Sequence, residues 1–456
     1  MNPEFQRNLW LEASPRRIAW AGVVLLLIYG AAVALTRNNP YGAFPALGGV
    51  GAVVFVACAM LWGARASGNS ILAEIADRTW DFQRLSALPP WTMTWGKLFG
   101  GSSLAWMCAL TGLLMMVIAG VVGGVVGLGV TVIFMLALAV LLQAVSLGAA
   151  LIGVRKARAE GRTARASGVL GGLIIGAILL SWVAGSAGFQ RGMGTEGFGA
   201  LFSANGMVDW GGRLWPAAGF RALALSLFAA WAVVGAWRLM RLELQMQNAP
   251  VVWPAFLIFL AIFAGGFMLR TQGLAAGLAV GSLVVALSAY AAAFAEPADR
   301  VRLRQFVQFA SKGDLARAAP LTPAPLAPLL IATLLVLAAF ATSNGSLMTP
   351  ELGQAGALIA FLLRDLGVIA LFRMGERPQR GDFSAVVALG LLYGVGGSIG
   401  WAVGHETGGA LFAPLAHAPL ISLVSGLVQA AVVWTLAVRR IGLSAPPSVP
   451  ASVPAT

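Results

Sequence analysis

From Leu98 to Gly153 the chain runs for 56 residues without a charged side chain. A helix needs about 20 apolar residues to cross the ~30 Å hydrocarbon core of a bilayer, so this stretch is too long for one span. The glycine-rich VVGGVVGLG at 121–129 then reads as a turn between two spans, with a re-entrant loop as its rival. The whole chain is 59% hydrophobic and only 10% charged, against about a quarter charged in soluble domains. The expected fold class is therefore an all-α polytopic integral membrane protein.

The same length criterion places spans near 18–36, 46–64, 98–119, 130–153, 167–184, 219–237, 251–269, 273–294, 325–342, 355–372, 384–402 and 418–438, twelve in all. A shift of 233 residues lays the first span on the seventh and the second on the eighth. It also brings Asp81 onto Asp314, Arg84 onto Arg317, Leu88 onto Leu321 and Pro90 onto Pro323. This predicts two six-span halves, 18–248 and 249–440, the first carrying a polar segment at 65–97. The Pro- and Ser-rich residues 441–456 read as a disordered tail.

With twelve spans both termini share one side. If that side is cytoplasmic, 24 of the 30 Lys and Arg lie in inner segments, as the positive-inside rule requires. The net charge of +13 then reports topology, and nucleic acid is not needed to explain it. Ala, Gly and Arg usage looks prokaryotic, and the expected location is a bacterial inner membrane. The run from Ile18 to Leu35 is span-length and lacks a clean cleavage site, so it reads as an anchor and not a signal peptide.

Two polar stretches flank the first spans. In residues 1–17, Phe5, Leu9 and Ala13 recur at helical spacing among Glu4, Arg7, Asn8 and Glu12, which predicts an amphipathic helix in the membrane interface. In Glu74–Lys97, EIADRTWDFQRLSALPPWTMTWGK, and the turn before it, residues Ile71, Ile75, Phe82 and Leu85 fall on one helical face and Glu74, Asp77, Asp81 and Arg84 on the other. Pro89 and Pro90 stop that helix. Thr92 is the expected cap of the next one, with Trp91 and Trp95 at headgroup level and Lys97 at the surface.

The order Glu74, Asp77, Thr79, Asp81, Leu85, Leu88, Pro89, Gly96, Lys97 resembles the segment between the second and third spans of type 2 ABC exporter permeases. The opening NPEF, Arg7 and the Arg16-Arg17 pair resemble that family's start, where an elbow helix precedes the first span. Arg78 stands where the family usually has Gly. The resemblance implies a permease whose coupling helix, here Glu74, Asp77, Arg78, Thr79, Asp81, Phe82 and Arg84, contacts a separate ATP-binding cassette ATPase. It leaves open whether a second permease copy completes the pathway. The chain has no G-x-x-x-x-G-K-[ST] phosphate loop, so ATP hydrolysis belongs to the partner.

Arg364 and Asp365, mid-way along the tenth span, are the costliest residues to place in lipid, which makes them a gate, a substrate contact or a buried ion pair. No catalytic, cofactor or metal site is expected. HETGG at 405–409 lacks the second His at i+4 of a zinc helix. Cys58 and Cys108 fall within spans and read as apolar fillers. G-x-x-x-G spacings at Gly172–Gly176, Gly390–Gly394 and Gly396–Gly400 permit close helix packing. Two rivals to the permease reading remain: a membrane scaffold or sensor that docks a partner, and an ion-coupled secondary transporter.

Overall fold

The computed structural model describes residues 2–36, 43–86, 88–159, 161, 206–246, 248, 251–343, 350–374, 380–415 and 417–441. The expected span at 167–184, residues 442–456 of the tail and the Gly172–Gly176 motif lie outside these residues. In chain order the first helices are α1 (Pro3–Glu12), α2 (Pro15–Leu35) and α3 (Phe44–Ala76), the last with a π-helical stretch at Val56–Trp62. Then come α4 (Trp80–Arg84), α5 (Pro90–Trp95), α6 (Ser103–Val122) and α7 (Leu128–Ala159). A hairpin, β1 (Met207–Trp210) and β2 (Arg213–Pro216), leads into α8 (Ala217–Glu243) and α9 (Val252–Gly265). The remainder is α10 (Gly273–Ala295), α11 (Arg300–Ser311), α12 (Leu315–Ala318), α13 (Leu326–Thr342), α14 (Pro350–Arg373), α15 (Gly381–Gly409) and α16 (Pro419–Ile441).

Among the described residues nine helices are long and apolar enough to cross a membrane: α2, α3, α6, α7, α8, α10, α14, α15 and α16. The protein is thus a multi-pass helical membrane protein. Two further apolar helices coincide with expected spans but depart from a simple crossing. The 14 residues of α9 rise about 21 Å, short of the ~30 Å core. The 17 residues of α13 follow a 107° bend after the short helices around 315–321. The turn expected at 121–129 is present, with Gly124 and Gly127 at φ 62° and 79°.

The two longest helices overshoot the hydrocarbon furthest. At 33 and 32 residues, α3 and α7 rise close to 50 Å each, so their last turns stand clear of it. That is where Arg155, Lys156 and Arg158 sit. Contacts gather this end of the bundle: Arg158 pairs with Glu243, Lys156 with Asp382, Arg373 with Asp382, and Arg304 with the Ile441 carbonyl. We refer to it as the basic end.

The opposite end carries a departure from a purely helical chain. β1 and β2 pair antiparallel with Met207 opposite Pro216 and Trp210 opposite Arg213. Gly211 and Gly212 close the hairpin, both at positive φ, the two-residue turn that matches strand twist. Trp210 donates its indole N–H to the Phe263 carbonyl at 2.9 Å and buried Val208 joins Phe220 and Phe267, which seats the hairpin on α8 and α9.

Small residues let the helices meet. A Cβ on Gly51 would lie 2.5 Å from the Gly112 carbonyl oxygen, so α3 and α6 cross backbone to backbone. The expected motif at Gly390–Gly394 does not act this way: both glycines face open space. The most enclosed of the described crossing helices are α10 and α14, whose Leu283, Ala286, Leu358 and Leu362 lie in one hydrophobic cluster.

Candidate functional site

The expected single amphipathic helix over 74–85 is two helices with a break between them. Helix α3 ends in a Schellman turn: the Arg78 N–H bonds the Ile75 carbonyl at 3.2 Å and the Thr79 N–H bonds the Glu74 carbonyl at 2.9 Å. This turn requires a left-handed residue, and Arg78 takes it with φ 57°, at about 1–2 kcal/mol of strain that glycine would not carry. Across the break the predicted apolar face splits. Ile71 is fully buried, whereas Phe82 is 79% and Leu85 86% exposed. Asp77, Arg78, Thr79 and Asp81 share that exposed surface, and Arg84 reaches back to Asp81 at 3.5 Å.

Trp80 points inward from α4. Trp80 is buried and donates its indole N–H to Glu243 at 3.1 Å, and Glu243 in turn pairs with Arg158 at 2.7 Å. The short helix is therefore bolted to α8 and α7.

Glu74 does not face outward. It pairs with Arg7 and Lys97, while Lys97 also reaches Glu4 at 2.8 Å and Gln83 at 3.1 Å. Lys97 is completely buried, contrary to its expected place at the surface, because three acceptors from three helical segments replace its water and Trp80 covers it at 5.6 Å. Burial pushes the Glu4 carboxyl up, but Lys97 and Arg7 outweigh it and hold the group below its ordinary range.

Helix α1 also differs from expectation, since it turns its polar residues Glu4 and Asn8 inward and leaves Trp10 and Leu11 exposed. Asn2 caps α1 and donates to the Thr92 carbonyl at 2.8 Å; Asn8 donates to the Gly96 carbonyl at 3.2 Å. A Cβ on Gly96 would lie 2.4 Å from Glu4 Cγ, so only glycine allows this approach. The following helix starts at Pro90 with Pro89 as its cap, and Thr92 lies inside it. Proline at the first helical position lacks the N–H that a cap would satisfy.

Compared with known proteins, the chain matches no family model, no curated protein and no solved structure.

A second segment at the basic end repeats part of this geometry. Helix α11 closes with the same turn: the Gly313 N–H bonds Ala310 and the Asp314 N–H bonds Phe309, with Gly313 at φ 74°. The short α12 follows, and Asp314 pairs with Arg317 at 3.5 Å, as Asp81 does with Arg84. Its surroundings include Glu296, whose carboxyl is pushed up by burial against the pull of Arg302 and the Ala324 N–H. Asp382 forms ion pairs with Lys156 of α7 and with Arg373 of α14.

Arg364 and Asp365 form a buried pair at 2.7 Å. Asp365 Oδ1 takes the Arg364 guanidinium; Oδ2 takes the hydroxyls of Tyr290 at 2.6 Å and Tyr393 at 2.7 Å. Arg364 also donates to Gln429 at 2.9 Å and lies over the Phe361 and Tyr393 rings. The pair thus ties α10, α14, α15 and α16 together. The roles of Glu4, Asn8, Glu243, Tyr290 and Tyr393 are not legible in the sequence, because each gains its role only from a partner remote along the chain.

Proposed function

We propose that this chain is the permease component of an ATP-binding cassette exporter of the bacterial inner membrane, with the basic end cytoplasmic and both termini on that side. The observation that carries the reading is the exposed group Asp77, Asp81, Phe82 and Leu85 on a short turn held rigidly from behind by Trp80 and Lys97. Large apolar side chains exposed among charges at a polar end of a membrane protein mark a docking surface. The resemblance of 74–97 to a coupling segment names the partner class, an ATPase subunit.

Closure of that subunit would press on α4. The load then has two rigid exits: through Trp80 and Glu243 into α8 and α7, and through Glu74 and Lys97 into α1, α5 and α6. In this reading Glu74 transmits and does not touch the partner. The paired segments at 78–84 and 313–317 support two halves in one orientation, so one chain supplies both halves of a pathway. Asp365 speaks against an ion-coupled carrier, whose carboxylate must be free to take up its ion; here both oxygens are occupied.

The test is purification in mild detergent with identification of the copurifying protein. A phosphate-loop ATPase is expected, lost or uncoupled when Asp77→Asn, Asp81→Asn and Phe82→Ala are combined. Full ATPase retention and coupling in that variant would sink the assignment, and a different partner would make the chain a scaffold.

A further inference from the structure

Helix α2 is the least enclosed of the crossing helices; of its 21 residues only Ala32 is buried. Between it and α3 lies a groove of about 1340 Å³, larger than the ~300–1,000 Å³ of ordinary small-molecule sites. Its trough is apolar, formed by Val24, Leu25 and Ile28 of α2 against Val50, Val53 and Val54 of α3. Its one charged end holds Arg16 and Arg17, with Trp20 and Trp62 beside them.

The dimensions and the charge distribution point to the occupant. From Arg16 to Ile28 the α2 axis rises about 18 Å, a little more than the ~15 Å of one hydrocarbon leaflet. Cations with flanking tryptophans at one mouth match the headgroup level, and the apolar length below matches acyl chains. Arg17 is engaged by Glu12 at 3.1 Å and the Leu11 carbonyl at 3.3 Å, while Arg16 makes no ion pair among the described residues. We propose that this groove is a binding site for an anionic phospholipid of the leaflet at the basic end, with its phosphate on Arg16 and Arg17 and its acyl chains along Val24, Ile28, Val50 and Val53. A second copy of the chain is the less favourable occupant. Related by a two-fold axis along the membrane normal, it would bring another Arg16-Arg17 pair to the same depth, setting four cations together.

The site is tested on the full chain in detergent by native mass spectrometry, titrating phosphatidylglycerol and phosphatidylcholine of identical acyl chains. The wild type is expected to retain phosphatidylglycerol preferentially. Arg16→Gln, which removes no ion pair from the fold, should lower that preference about fivefold, and Arg17→Gln by a similar factor. Val53→Trp, which fills the trough, should release both lipids. Equal retention of the two lipids by the wild type, or an undiminished preference in Arg16→Gln, overturns the proposal. So does cross-linking of two copies through residues of α2 with loss of bound lipid. None of these readouts involves an ATPase, so the lipid site stands or falls separately from the transport reading.

Discussion

The indole N–H of Trp80 lies 3.1 Å from a carboxylate oxygen of Glu243, a residue 163 positions further along the chain. Both side chains are buried, so this bond fixes where α4 sits on the bundle. Trp80→Phe keeps the ring and removes the donor, leaving Glu243 to Arg158 alone. The expected cost is about 1–3 kcal/mol, read as a lower melting temperature, together with weaker partner capture. A variant as stable as wild type would show that α4 is held by ring packing and not by the bond.

Lys97→Met should be among the most damaging changes in the first half. It strands Glu4 and Glu74 around one remaining cation, Arg7, and breaking a buried pair in this way costs about 3–5 kcal/mol. Adding Glu4→Gln to it should recover part of that loss, a coupling that a double-mutant cycle measures.

Acid should loosen α1 in a defined direction. Glu4 titrates below its ordinary value near 4.5, so its contribution is whole above that value and is lost as pH falls through the lowered one. Glu296 runs the other way. Its carboxyl titrates above 4.5, so stability declines as pH rises from there through the raised value. Unfolding curves across pH for Glu4→Gln and Glu296→Gln should each lack the corresponding slope.

Arg78→Gly should stabilise the turn by up to about 1 kcal/mol, because glycine takes a positive φ without strain. Arg78→Val, β-branched, should do the reverse. Equal melting temperatures for the two variants would show that the backbone at 78 relaxes.

Asp365→Asn leaves a buried guanidinium without its counter-charge and should cost about 3–5 kcal/mol. Combining it with Arg364→Gln should be milder than the single change. If the pair is a clamp, stability measured by thermal unfolding moves with it; a gate would change transport while the melting temperature stays put.

What the sequence by itself determined was whatever depends on neighbouring residues. Apolar lengths announced the helices, Gly124 and Gly127 announced the turn between α6 and α7, and Pro89 and Pro90 marked the restart at α5. The positions of polar residues were a different matter. A charge run such as Glu74–Arg84 specifies a helix with two faces, yet it carries no information on which face another helix will cover. Tertiary structure decided that Glu74 and Lys97 turn inward while Phe82 and Leu85 turn outward. It decided too that α1 presents Glu4 and Asn8 to the bundle and that Asp365 is saturated by two tyrosines. The physical reason is that burying a charge is tolerable only where opposite charges and donors converge. Here they converge from Glu4, Glu74 and Lys97, or from Tyr290, Asp365 and Tyr393, segments that meet only when the helices pack.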